Sequence, residues 1–408
     1  MSRDAAATAA ADPITGPVAV IGAGTMGAGI AQVALEAGQE VRLQDVAADA
    51  MLRGLERIRD GLFRRATKVV TDEAARGPWV VERLARIRTF DTANDVEEAV
   101  SDAALVIEAA LEEKELKRAL FKRLDRAAPP RTPLATNTSA LRIHDLAMAT
   151  YRPERVLGLH FFNPAPVMAL VEVVSHPTTD RELAAASAAT VARWGKTPVA
   201  CSDSPGFIVN RVNRPFTLEA LRLLRAGAGT VESIDAALTD AGFPLGPFAL
   251  MDLVGLDINL ATARNLFEAF DRSPRFRPSP IQESLVESGR LGRKTGEGFY
   301  RHDADGRPLA VAPRFAGTPG RGALDADTIA ERVILAIVNE AYRALGEKVA
   351  SAADIDLALK LGANHPFGPF EWAAETGLAE VAVMLDALTP EDPDTFRPAI
   401  ALLRAAAG

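Results

Sequence analysis

Apolar residues change their spacing about halfway along this chain. From residue 17 to about 201, short apolar runs rich in β-branched residues alternate with helical stretches, and the runs predict strands at 18–21, 40–44, 104–107, 134–136, 156–159 and 167–174. Such runs separated by amphipathic segments suit a parallel sheet covered on both faces by helices, whose strands are buried on both sides. Between the second and third runs, about 49 to 88, Leu52, Leu55, Ile58 and Leu62 recur at helical spacing in a charged stretch. That spacing predicts an inserted helical arm, and it gathers Arg57, Arg59, Arg64, Arg65 and Lys68. After Ser204-Pro-Gly-Phe the strand-like runs stop and helical patterns continue to the C-terminus.

The first strand breaks into Gly22-Ala-Gly24-Thr25-Met26-Gly27 and then a helical stretch. Gly22 permits a tight turn, Gly24 lets backbone approach a pyrophosphate, and Gly27 lets the helix pack on the strand. The free N–H groups of that helix would face phosphates. The second strand ends at Asp45, where the fingerprint expects an acid for a ribose 2′-hydroxyl. Asp45 favours NAD over NADP, with Arg42 close enough in sequence to work the other way.

The helical half repeats itself. Arg211-Val, Glu219-Ala-x-Arg, Ile234-Asp and Gly246-Pro-Phe are echoed in order by Arg332-Val, Glu340-Ala-x-Arg, Ile355-Asp and Gly368-Pro-Phe, with one extra residue before Gly368. Coincidences in fixed order point to duplication. The reading is therefore an α/β Rossmann-type N-terminal domain followed by two related all-α domains. Its boundaries are a disordered leader at 1–13, a dinucleotide-binding domain at 14–202, a helical domain at 203–302, a Gly/Pro/Ala-rich linker at 303–325 and a second helical domain at 326–408.

At 408 residues and 48% hydrophobic, the chain has material for a large core and two or three domains. A formal net charge of −8 argues against nucleic acid as partner. The single cysteine, Cys201, excludes an internal disulfide and a thiolate metal cluster, and suits a reducing cytoplasm. Its neighbour Asp203 would not stabilise a thiolate. No apolar run has the ~20 residues that span a bilayer, so no membrane association is expected. His144, His176, His302 and His365 lack companions at metal-ligand spacing, so surface or capping roles are expected and no metal.

Three segments carry candidate chemistry: Thr136-Asn137-Thr-Ser139, His160-Phe-Phe-Asn163-Pro and Val171-Glu172. All fall at predicted strand ends, where open α/β sheets bind ligands. Asp203-Ser-Pro-Gly-Phe-Ile-Val-Asn210-Arg then opens the helical half. Oxidising an alcohol needs a base for the hydroxyl proton, and imidazole, with an ordinary pKa near 6.5, serves in both directions. A hydrogen bond to Glu172 would fix the ring of His160, and Ser139 and Asn210 would hold the reacting oxygen. Other readings of the same residues stay open: His160 as a packed ring, Ser139 as a helix N-cap, Asn210 as a turn residue. Glu172 lies in an apolar strand, and a buried carboxylate there needs a partner.

Together, Ile21-Gly-Ala-Gly-Thr-Met-Gly-Ala-Gly-Ile-Ala-Gln32, Thr136-Asn-Thr-Ser139, His160-Phe-Phe-Asn-Pro164, Asp203-Ser-Pro-Gly-Phe-Ile-Val-Asn-Arg211 and Gly292-Arg-Lys-Thr-Gly-Glu-Gly-Phe-Tyr300 resemble the L-3-hydroxyacyl-CoA dehydrogenase family. The resemblance implies NAD-dependent reversible oxidation of an L-3-hydroxyacyl-CoA thioester, with His160 as acid/base, Glu172 as its partner, and Ser139, Asn163 and Asn210 on the substrate. It sets Gly22, Gly24, Thr25, Met26, Gly27, Asp45, Glu112, Lys117, Asn137 and Lys294 at the cofactor and Lys68 on coenzyme A. Two positions depart from the family pattern: Gly61 stands for a serine of the arm, and Ala169 for a lysine. The fused copies imply a monomer with an internal pseudo-dimer, or else a homodimer. A sugar-acid dehydrogenase of the gulonate type and a non-catalytic NAD-binding protein are the rival readings.

Overall fold

The computed structural model describes residues 11–92, 95–318, 320 and 322–408. Most of the expected leader thus lies outside the described residues. The chain divides into two units, Met1–Ser204 and Pro205–Gly408.

The first unit is built on an eight-stranded sheet in the order β3-β2-β1-β4-β5-β6-β7-β8. Its strands are β1 (Val18–Ile21), β2 (Val41–Gln44), β3 (Ile87–Phe90), β4 (Leu105–Glu108), β5 (Leu134–Thr136), β6 (Val156–Phe161), β7 (Leu170–Ser175) and β8 (Thr197–Ser202). β1 is fully buried, as a strand covered on both faces must be. Three expectations need correction. The sheet is not parallel throughout, because β7 runs antiparallel to β6. The connection from Phe162 to Ala169 is shorter than the dozen or so residues a crossover needs, so the chain turns back. β3 ends the charged arm and pairs with β2, and β8 adds an edge beyond β7. Neither was expected, since Ile-Arg-Thr-Phe and Thr-Pro-Val-Ala-Cys-Ser lack an apolar run, and Pro198 is tolerated because β8 is an edge strand. Helix α1 (Thr25–Glu36) follows β1, and the arm is α2 (Ala48–Val69) with α3 (Glu73–Leu84). α2 buries Met51, Ile58, Leu62 and Ala66 along one stripe and leaves its arginines outside.

The second unit is helical except for a small hairpin, Tyr300–His302 against Pro308–Val311, where no strand was expected. Its two copies share a framework of polar contacts. The first helix of each copy carries an arginine that reaches a glutamate of the other: Arg211 Nε to Glu340 Oε1 at 2.8 Å and Arg332 Nε to Glu219 Oε1 at 2.6 Å. Each glutamate also takes an arginine one turn along its own helix, Arg222 at 3.0 Å from Glu219 and Arg343 at 3.4 Å from Glu340. Both glutamates are buried. In each copy an aspartate caps the Gly-Pro-Phe helix: Asp235 accepts from the N–H groups of Phe248 and Ala249, Asp356 from those of Phe370 and Glu371. A Cβ on Gly246 or Gly368 would stand 2.4 Å or less from its aspartate's carboxyl carbon, which explains why both copies keep glycine there.

Candidate active site

β6 and β7 pair in a register that sets His160 opposite Glu172. Opposed residues in an antiparallel pair share a face of the sheet, with Cβ atoms roughly 5 Å apart. Here that closeness brings His160 Nδ1 to 2.6 Å from Glu172 Oε2. Glu172 is 0% and His160 6% exposed. Phe162 flanks the imidazole, ring centroids 4.6 Å apart. The sequence named both residues, and the reversal of β7 supplies the geometry that spacing lacked.

At the end of β1 the three glycines do separate jobs. Gly22 has φ +106°, and a Cβ there would meet the carbonyl oxygen of Ala109 at 2.6 Å; a Cβ on Gly27 would strike the carbonyl of Gly22 at 1.8 Å, so α1 packs directly on the strand. Gly24 has nothing within 4 Å of its Cβ position. It therefore offers open backbone before the α1 N-terminus, which fits a pyrophosphate. A cavity of about 760 Å³ lies alongside, lined by Gly22, Gly24, Thr25, Met26, Asp45, Ala110 and neighbours. Asp45 is held by the N–H groups of Ala23 at 2.7 Å and Ala47 at 3.1 Å. Arg42 is committed elsewhere, with Nη2 2.5 Å from Asp102, so it is not presented to a 2′-phosphate. These residues fit a dinucleotide with a free ribose hydroxyl.

The loop after β5 is shaped by charges the sequence reading undervalued. Lys117, 1% exposed, sits between Glu108 at 3.0 Å and Glu112 at 2.7 Å. Burial pushes the Glu108 carboxyl above its ordinary range against the pull of Lys117. Burial also opposes the charge on Glu112, but Lys117 and hydrogen bonds from Thr138 and Ser139 outweigh it and hold that carboxyl low. Glu112 accepts from the Thr138 hydroxyl and from the N–H groups of Ser139 and Ala140, while Thr136 bonds Glu108 at 2.6 Å. Asn137 Oδ1 accepts from Phe161 N at 2.8 Å, tying this loop to the end of the strand that bears His160. Lys117 thus acts on the loop from beneath.

Ser139 is not a helix N-cap. The following helix, Ile143–Ala147, has no side-chain cap from its own N-cap residue; Asp203 accepts from the N–H groups of Ile143 and His144, and Thr138 accepts from Leu141 N. The Ser139 side chain is exposed. Asp203, Glu108 and Thr138 are the positioning residues that sequence reading missed; the only signal was acidic or hydroxyl character at strand ends.

Along α2, Arg57, Arg64, Arg65 and Lys68 border a cavity of about 640 Å³ shared with Thr25, Gly29, Pro164 and Val167. Gly61 lies on the same face, and a Cβ there would come within 1.9 Å of Gln32 Oε1. Gln32, held by Glu36 at 2.7 Å, fills the space of a larger side chain at 61. Asn163 is exposed just past β6.

Asn210 and Lys294 belong to the second unit. Asn210 lies in the short helix Val209–Val212 and is half-buried. Lys294 Nζ pairs with both carboxylate oxygens of Asp257, at 2.6 and 2.7 Å. The expectation of surface or capping histidines needs correction for three of four. His176 is buried with Nε2 2.9 Å from the Pro153 carbonyl. His302 lies 3.0 Å from Asp252. His365, 2.8 Å from Asn213 Oδ1, is pushed down to about 3 by burial. Among the described residues no three metal-binding side chains converge, and no helix is long and apolar enough to cross a membrane. Cys201 is buried on β8.

With this geometry in place, the comparisons are specific. Residues 17–204 match the 3-hydroxyacyl-CoA dehydrogenase NAD-binding domain, and residues 206–302 and 329–406 match the 3-hydroxyacyl-CoA dehydrogenase C-terminal domain. The chain is 39% identical to the 3-hydroxyadipyl-CoA dehydrogenase of Escherichia coli, over 91% of this chain and 93% of the relative. It is 43% identical to the mitochondrial hydroxyacyl-coenzyme A dehydrogenase of Mus musculus, over 70% and 90%. Among solved structures, 3-hydroxybutyryl-CoA dehydrogenase from Escherichia coli superposes with a TM-score of 0.84 at 36% identity, covering 96% of this chain and 98% of that one.

Proposed function

The chain belongs to the 3-hydroxyacyl-CoA dehydrogenase family, and from that premise we propose how its residues divide the work of NAD-dependent oxidation of an L-3-hydroxyacyl-CoA to the 3-oxoacyl-CoA. Bound NAD supplies the hydride acceptor for C3. His160 takes the 3-hydroxyl proton at Nε2, because Nδ1 is engaged by Glu172. An ionised Glu172 has only acceptor atoms, so it keeps the proton on Nδ1 and stabilises the imidazolium formed as hydride leaves. In reduction the same nitrogen returns the proton. Ser139 donates to the substrate oxygens, and the family resemblance gives Asn163 and Asn210 substrate contacts as well. Asp45 takes the adenosine ribose, Gly22 to Gly27 the pyrophosphate, and Asn137 and Glu112 flank the nicotinamide side, with Lys117 steadying them; Lys294, paired with Asp257, is given a cofactor role by the family resemblance alone. Lys68 and the neighbouring arginines of α2 meet the phosphates of coenzyme A.

The 2.6 Å contact between His160 and Glu172 carries this reading. His160→Gln keeps the side-chain volume but removes the base; turnover is expected to fall by about 10²–10⁴-fold, with NAD binding nearly unchanged by calorimetric titration. Near-normal turnover of 3-hydroxybutyryl-CoA would overturn it.

The reciprocal arginine–glutamate pairs support a duplicated helical domain, with a linker near 303–325, acting as an internal pseudo-dimer in a monomeric enzyme. Sedimentation equilibrium tests that state. A lone buried cysteine suits the cytoplasm, where we place the protein.

A further inference from the structure

The two buried glutamates that join the helical copies sit in clusters of opposite charge. Glu219 meets Arg332 and Arg222, and those arginines also meet Glu391 and Asp392, so two cations share three carboxylates. Glu340 takes Arg211, Arg275 and Arg343, with Glu347 added on Arg211, so three cations share two carboxylates. The duplicated framework thus carries an extra acid in one place and an extra arginine in the other.

One short turn in each copy explains the difference. The helices Pro274–Phe276 and Pro393–Phe396 both run into Phe-Arg-Pro, yet their N-cap residues are Ser273 and Asp392, and the residues before the phenylalanines are Arg275 and Thr395. Asp392 lies 3.4 Å from Arg222 Nη1, which also donates to the Thr395 hydroxyl at 2.9 Å. In the other cluster Arg275 donates to the Ser273 hydroxyl at 2.9 Å and to Glu340 at 3.0 Å. A hydroxyl stands there for the acid, and a guanidinium for the hydroxyl. Arg343, the repeat counterpart of Arg222, is left with Glu340 at 3.4 Å and the Arg397 carbonyl at 3.2 Å. Burial, with the neighbouring Arg275 and Arg211, holds Arg343 below its ordinary range against the pull of Glu340.

Arg343 borders a cavity of about 530 Å³ together with Arg275, Arg397 and Arg404; the acids on its wall are Glu347, engaged by Arg211, and Asp394. The guanidiniums of Arg397 and Arg404 make no hydrogen bond or ion pair among the described residues. Tyr342 and Ile400 give the same cavity an apolar side. We propose that this cavity binds a small diphosphate, free or carried by a nucleotide, in the second unit, whereas the dinucleotide turn belongs to the first. Each guanidinium fork takes two oxygens, and forks arriving from separate segments suit a diphosphate, whose oxygens point in many directions, better than a flat carboxylate. Four arginines against two carboxylates on the wall call for an anion of at least two charges.

The test is calorimetric titration of pyrophosphate into the full chain at low ionic strength, with NAD saturating so that the glycine turn of the first unit is occupied. Wild type is expected to bind, and the double variant Arg397→Ala/Arg404→Ala to bind about 10-fold or more weakly. Ser273→Asp, which copies the N-cap of the other cluster, supplies an internal counter-charge and is expected to weaken binding by a similar factor. Arg277→Ala, on the matching turn of the first copy, leaves it unchanged. ADP separates the two sources: binding tighter than pyrophosphate assigns the site to a nucleotide, equal or weaker binding to the free diphosphate. No heat from either compound at millimolar concentration overturns the proposal. So does binding that the double variant and Ser273→Asp both leave intact, which would put the anion elsewhere, such as on the arginines of α2. An equal loss with Arg277→Ala counts against it as well. Arg397 and Arg404 are exposed, so the double variant is expected to keep the wild-type Tm; should it not, Ser273→Asp decides.

Discussion

The two helical copies hold the same polar skeleton and spend the rest of their surface differently. Arg211, Glu219, Arg222 and Asp235 in the first copy find counterparts in Arg332, Glu340, Arg343 and Asp356 in the second. Asn210 and Arg214, by contrast, correspond in the repeat register to Glu331 and Leu335. Shared contacts mark what the fold needs, and the differences mark what one copy alone does. Asp235 shows the divergence within a shared contact: it also accepts a hydrogen bond from Tyr300 at 2.8 Å, a partner Asp356 lacks among the described residues.

The comparison breaks most visibly if the shared skeleton is not equally needed. Glu219→Gln and Glu340→Gln each remove a buried carboxylate that bridges arginines of both copies; Glu391, Asp392 and Glu347 still face Arg332, Arg222 and Arg211, so each is expected to destabilise the protein by about 1–3 kcal/mol in urea unfolding. Glu340→Gln should cost more, since Arg275 also binds Glu340. A negligible loss in either would mean the reciprocal pairs are not structural. A functional contrast comes next. Asn210→Ala is expected to lower kcat/KM about 100-fold, whereas its counterpart Glu331→Ala leaves activity and NAD binding as they were; equal effects would erase the distinction between copies. The smallest contrast is a pH dependence. Burial raises Asp235 from 3.8 to about 6, so the folded state binds this proton more tightly than the unfolded chain. Its contribution is then fully present below about pH 4 and lost as pH rises through 6, roughly 2–3 kcal/mol in all. Asp235→Asn should flatten that limb in melts between pH 4 and 7. Asp356→Asn should change it less, because Lys360 favours the ionised form of that carboxyl whereas Asp252 opposes it at Asp235, and the reverse ranking would show that these neighbouring charges do not set the two aspartates apart.

Much of this was legible before coordinates. The glycine turn, Asp45 and the strands that bear His160 and Glu172 follow from β-branched runs ended by glycine or polar residues, and the duplication follows from residues in fixed order. What stayed hidden had physical reasons. β3 carries the exposed Arg88 and Thr89 because it lies at an edge, and β8 carries a proline for the same reason. The reversal of β7 was written only in the length of the loop before it. The resemblance puts Lys117 beside the cofactor; only the fold shows that its side chain runs inward to two carboxylates. Asp203 caps a helix some 60 residues away in sequence, a distance over which local patterns are silent.

Joining two copies in one polypeptide changes what mutation is able to explore. In a symmetric pair of identical subunits every substitution is written twice, so a charge introduced beside the active face also lands on the opposite side. Here the two positions are encoded separately, and an arginine arises in one while leucine remains in the other. Covalent fusion thus lets the two halves diverge in sequence independently of each other.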